Sequence, residues 1–130
     1  MSVRARSLRL AAALFGALAL LAIAPADTPG HAFLVKSTPA AGAVISHAPD
    51  RVRLWFNERL EAAFSTLTVV DGDGTRVDQG DVVVGPDDPR TLSVGLLPLS
   101  PRTYVVRYRV LSVDGHIVES RFSFTVRGRR

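Results

Sequence analysis

The chain has 130 residues, 47% of them hydrophobic, with 16 lysines and arginines against 12 acidic residues and no cysteine. That length suits one ordinary domain and excludes two full-sized ones. The absence of cysteine excludes a disulfide-stapled scaffold and any thiolate site, so a bound metal must be held by nitrogen and oxygen.

In chain order, Arg4, Arg6 and Arg9 precede an apolar run from Leu10 to Ala24 that only Gly16 interrupts. The run has the length of a signal-peptide core, is short for a membrane span, and is followed by the helix-ending Pro25 and Pro29. Residues 1–30 are therefore expected to be a signal peptide removed on export. Residues 31–130 remain as one domain, periplasmic or secreted, with no stable membrane insertion after cleavage. Two cleavage positions compete. Ala24-Pro25-Ala26 fits the small-x-small rule and would leave Asp27 first, whereas Thr28-Pro29-Gly30 fits it less well and would leave His31 first. Three arginines and one aspartate leave with residues 1–30, so the net charge falls from +4 to about +2. So small a charge, with no basic cluster, argues against a nucleic-acid partner.

From residue 33 onward the hydrophobic period is two. Val52, Leu54 and Phe56 alternate with Arg51, Arg53 and Trp55; Leu67 and Val69 with Thr66 and Thr68; Tyr104, Val106, Tyr108 and Val110 with Val105, Arg107 and Arg109; Phe122, Phe124 and Val126 with Arg121, Ser123 and Thr125. Shorter runs at 33–36, 75–78, 82–84 and 92–96 bring the expectation to seven or eight strands. Turn residues separate them at 39–42, 48–50, 71–74, 85–89, 98–101 and 114–115, and only 58–64 leaves room for a helical turn. The expected fold is all-β, a small antiparallel Greek-key sandwich of immunoglobulin-like or cupredoxin-like type.

Several motifs invite a ligand and fail on inspection. Asp71-Gly72-Asp73-Gly74 resembles the start of a calcium loop, but its fifth position is Thr75 and its twelfth Val82, and its flanks read as strands, so a hairpin turn is expected. His47, beside Ala48-Pro49, reads as a surface histidine. Asp114-Gly115-His116 is different in kind. As a hairpin turn it needs no function, yet it sets a carboxylate and an imidazole two positions apart. If His31 is the first residue after processing, its α-amine and imidazole add two donors. Three nitrogens and one oxygen suit Cu(II), which favours tetragonal N/O geometry.

His31-Ala32-Phe33-Leu34, Ser37-Thr38-Pro39-Ala40-Ala41-Gly42, Leu54-Trp55-Phe56-Asn57-Glu58, Leu60 to Ser65, Ser112-Val113-Asp114-Gly115-His116 and Phe122 to Val126 occur in that order. Together they resemble the copper-resistance protein C (CopC) family along essentially all of residues 31–130. The resemblance implies an exported β-sandwich that carries or sequesters one Cu(II) for copper homeostasis and resistance. It implies His31, Asp114 and His116 as ligands, Glu58 as an outer-shell residue, and a membrane copper transporter of the copper-resistance protein D (CopD) type as a partner. The job implied is carriage rather than catalysis. One departure is clear: family members that also hold Cu(I) have a methionine-rich segment, whereas the only methionine here is Met1. The match is to members with a Cu(II) site alone. Two other readings stay open at this level. A histidine-brace copper monooxygenase would show oxidase activity when copper-loaded, and a metal-free immunoglobulin-like interaction module would bind no Cu(II).

Overall fold

In the computed structural model, which describes residues 32–128, the period-two alternation becomes a two-sheet sandwich. Its strands are β1 (Leu34–Thr38), β2 (Val44–Ile45), β3 (Arg51–Phe56), β4 (Thr66–Val70), β5 (Val83–Val84), β6 (Thr91–Gly95), β7 (Thr103–Leu111) and β8 (Ile117–Val126). A single 3-10 turn, Ala62–Phe64, lies where room for a helical turn was expected. One sheet runs β1-β3-β6-β5 and the other β2-β8-β7-β4. The all-β sandwich expectation holds.

Alternation places the core. Val52, Leu54 and Phe56 of β3 meet Leu67 and Val69 of β4, Leu92 and Val94 of β6, and Tyr104, Val106, Tyr108 and Val110 of β7 in one buried cluster. Burying residues on one face of each strand while the other stays wet is what a two-layer sheet requires. Tyr104 stacks on Phe124 at 5.5 Å, and Phe56 meets Tyr108 edge-on at 5.4 Å. The Tyr104 hydroxyl donates to the Ser100 carbonyl at 2.6 Å, which ties the start of β7 to the turn before it.

Two details differ from the sequence reading, and a third agrees with it. β2 was not foreseen, and it pairs parallel to β8, so the sandwich is not wholly antiparallel. Two residues are too few to show a period. The run 75–78 is not a strand but makes isolated bridges, Val70 to Arg76 and Asp78 to Leu96. Here the Val77 N–H reaches the Val69 carbonyl at 2.9 Å, and the buried Asp78 carboxylate adds to the backbone pairing by accepting the Val69 N–H at 2.9 Å and the Gly80 N–H at 3.0 Å. Arg76 closes on the same carboxylate at 2.6 Å. Finally, 71–75 forms the expected hairpin turn, with Gly74 at φ 80°. Its carboxylates are engaged by Arg102, at 3.1 Å for Asp71 and 2.8 Å for Asp73.

Candidate metal centre

Asp114 and His116 sit at one end of the sandwich, and backbone pairing explains why. β7 and β8 are joined by a loop in which the Ser112 N–H donates to the His116 carbonyl at 3.0 Å and the Gly115 N–H to the Ser112 carbonyl at 2.9 Å. Val113, Asp114 and Gly115 thus form a three-residue loop closed by a left-handed glycine at φ 94°, rather than a two-residue Asp-Gly turn. Only a residue without Cβ adopts that φ cheaply, so Gly115 determines the bend that brings residues 114 and 116 back together.

The bend turns Asp114 and His116 toward each other, with Asp114 Oδ2 3.3 Å from His116 Nδ1. The other carboxylate oxygen, Oδ1, accepts a short hydrogen bond from the Ser112 hydroxyl and a longer one, 3.4 Å, from the His116 N–H. Ser112 itself is buried, so its hydroxyl is a fixed anchor for Asp114. That hydroxyl is the main reason the Asp114 carboxyl lies below its ordinary pKa; desolvation opposes it, and the His116 N–H and imidazole add smaller downward contributions.

The segment that follows β3 links this bend to the start of the described chain. Asn57 Oδ1 accepts the Phe33 N–H at 2.6 Å, and the Asn57 N–H donates to the Phe33 carbonyl at 3.2 Å. Ala32, just before Phe33, is fully buried in the core. Three residues further on, Leu60 bridges Ser112, and the Val113 N–H donates to the Arg59 carbonyl at 3.0 Å. Residues 57–60 are therefore stapled to residue 33 on one side and to the metal-candidate loop on the other.

Asp114 and His116, two of the expected ligands, are brought together. His31 lies outside the described residues. Glu58 is half-buried on the shared 57–60 segment and joins no cluster of donors, since among the described residues no three His, Asp or Glu side chains gather into a metal site. His47 is exposed on the loop after β2. Adjacent N and O donors on a first-row ion, with bonds near 2.0–2.1 Å at right angles, stand about 2.9 Å apart. The 3.3 Å Asp114–His116 separation is wider than that, so a small closure of the two side chains would let the pair serve as two arms of a site completed by further donors. Sequence reasoning missed Ser112 as the anchor of Asp114 and Asn57 as the anchor of Phe33. A serine or asparagine at a strand end is commonplace, and only the folded contacts give either one a task.

A protein-family model described as the CopC domain matches residues 34–127. The chain is 30% identical over 110 residues to the copper transport protein CutJ of Bacillus subtilis, covering 84% of this chain but only 20% of that longer protein. It is 33% identical over 103 residues to copper resistance protein C of Pseudomonas syringae pv. tomato, covering 75% of this chain and 81% of the relative. The crystal structure of CopC from Methylosinus trichosporium OB3b superposes with a TM-score of 0.72 at 38% identity, covering 77% of this chain and 97% of that one. With the matched region spanning both sheets and the 112–116 loop, the chain belongs to the CopC domain family.

Proposed function

We propose that this protein is an exported Cu(II) carrier that binds one ion per chain and hands it on rather than turning over a substrate. The observation that carries the reading is the Asp114–His116 pair, 3.3 Å apart, on a loop stapled through residues 57–60 to Phe33. His31 stands two positions before Phe33 in the sequence. Cleavage after Gly30 would make it the terminal residue, adding an α-amine and an imidazole to the carboxylate and imidazole of the loop. Two imidazoles, an amine and a carboxylate match the tetragonal preference of Cu(II), which also heads the divalent affinity order for such donors. Glu58, on the shared segment, serves as an outer-shell carboxylate.

Copper is cargo in this reading. A family relative is named as a copper transport protein and others as copper resistance proteins, which supports traffic of the ion rather than chemistry on another substrate. The receiving partner is a membrane copper transporter of the CopD type, and the compartment is the periplasm or the cell exterior.

The test is electron paramagnetic resonance of the processed protein loaded with one equivalent of Cu(II). A tetragonal type 2 spectrum is expected, altered sharply by His116→Ala or Asp114→Ala and unaltered by His47→Ala. An unchanged spectrum for His116→Ala would overturn the site.

A further inference from the structure

We propose that the outer face of the β4–β7–β8 sheet, at Arg107, Arg109 and Arg121, docks a carboxylate-rich surface of the protein that exchanges metal with this chain. The inference rests on the carrier reading for its purpose and on the following observations for its location.

Strand register puts Thr68, Arg107 and Arg121 in one row across three strands, and Thr66, Arg109 and Glu119 in the next. These side chains line a shallow depression of about 630 Å3 on the sheet. Arg107 and Arg121 are direct cross-strand partners, so their Cβ atoms lie about 5 Å apart, where like charges destabilise a sheet. Among the described residues, no carboxylate or other hydrogen-bond partner engages the guanidinium groups of Arg107, Arg109 or Arg121, whose backbones pair in the sheet. The opposite sheet is built otherwise. There Arg51 reaches Ser93 at 3.0 Å and Asp81 at 3.6 Å, while Lys36 and Arg53 lie over the Trp55 ring at 4.7 and 5.8 Å. One basic face is internally satisfied, and the other carries a repulsion that an outside anion would relieve.

The same strands run on toward the metal-candidate loop. Two residues past Arg109, Leu111 pairs with Ile117, which is 53% exposed, and the two-residue alternation puts both on the arginine face. At roughly 3.3 Å per residue, Arg107 to Leu111 spans about 13 Å. A partner covering the arginines and this apolar pair would border Asp114 and His116, with an apolar strip and an arginine-bearing rim of the kind interfaces use. Glu119, directly opposite Arg109, decides the ligand class. It repels a compact phosphate dianion, whereas a protein surface can set carboxylates against the arginines and leave Glu119 clear. Guanidinium forks suit such carboxylates through paired N–H donors.

The test titrates isotope-labelled processed protein with poly-L-glutamate in low salt, with inorganic phosphate and phosphatidylglycerol vesicles as parallel arms. Expected are amide shifts confined to 66–68, 107–111 and 117–121, and weakening as salt rises. Arg107→Ala combined with Arg121→Ala should weaken binding roughly tenfold or more, Arg107→Lys with Arg121→Lys should restore part of it, and Lys36→Ala with Arg53→Ala should leave it intact. The Cu(II) spectrum of the double alanine variant should match that of the unsubstituted protein. Absence of binding, shifts on the β1-β3-β6-β5 sheet, or binding to phosphate or vesicles in preference to poly-glutamate would each overturn the docking assignment. A failed carrier reading shows itself separately, as loss of the type 2 spectrum in the unsubstituted protein.

Discussion

Replacing Ser112 by alanine should weaken Cu(II) binding while barely touching the fold. The serine is 1% exposed, and its hydroxyl engages Asp114 Oδ1 and, at 3.3 Å, the His116 carbonyl. Alanine preserves the backbone bond from residue 112 to the His116 carbonyl, so the loop stays closed. What is lost is the hydroxyl's long contact with the His116 carbonyl and its bond to a carboxylate that is a third exposed and can turn to water instead, together worth about 1 kcal/mol of stability. Freed from its anchor, Asp114 no longer holds a fixed position beside His116. Losing an outer-shell anchor of this kind typically costs ten- to a hundredfold in metal affinity, or about 1.4–2.8 kcal/mol. The assay is competition for Cu(II) against a chromophoric chelator, run beside thermal unfolding of the metal-free protein. Tyr104→Phe is the matched control. It removes the 2.6 Å bond to Ser100, destabilises by about 1–2 kcal/mol, and lies eight residues back along β7, roughly 26 Å from the loop. Unchanged copper affinity in Ser112→Ala, or an equal drop in Tyr104→Phe, would refute the anchoring argument.

Three other outcomes are expected. Asp78→Ala should destabilise the protein by about 3 kcal/mol, because it strands the buried Val69 N–H and removes the acceptor for Gly80 and Arg76, and thermal unfolding measures the loss. Burial pushes the Asp78 carboxyl up, but the Arg76 guanidinium and the Val69 and Gly80 N–H groups more than offset it and hold it below the ordinary 3.8. Its contribution is therefore complete above that value and lost as pH falls through the lower folded one, so Asp78→Ala should show a shallower acid limb, and an unchanged limb would contradict the assignment. Reduction with ascorbate in the presence of a moderate Cu(I) chelator should strip the copper, since residues 31–130 contain neither methionine nor cysteine; retention of stoichiometric copper would count against a Cu(II)-only site. Intact mass of the exported protein should place the first residue at His31, and finding Asp27 there together with full-strength Cu(II) binding would rule out the amine as a ligand.

The sequence by itself determined the layers and named the candidate donors. Alternation in 51–56, 66–69 and 103–111 fixes which side chains are buried, because a pleated strand sends successive residues to opposite faces whatever its partner. The Asp-Gly-His spacing likewise announces a carboxylate and an imidazole near one bend. Which strands are neighbours is not local information, and the remaining features follow from it. β2 joins β8 in parallel through two residues whose pattern carries no period. The 75–78 run reads as a strand, yet it makes only isolated bridges, and its buried aspartate takes the N–H groups of Val69 and Gly80. Tertiary structure also decided that residues 57–60 touch both Phe33 and the 112–116 loop, which links Phe33 to that loop across some eighty residues of chain. It set Arg107 against Arg121 as well: in sequence each is an ordinary solvated strand residue, and only the register between β7 and β8 turns them into a facing pair of like charges.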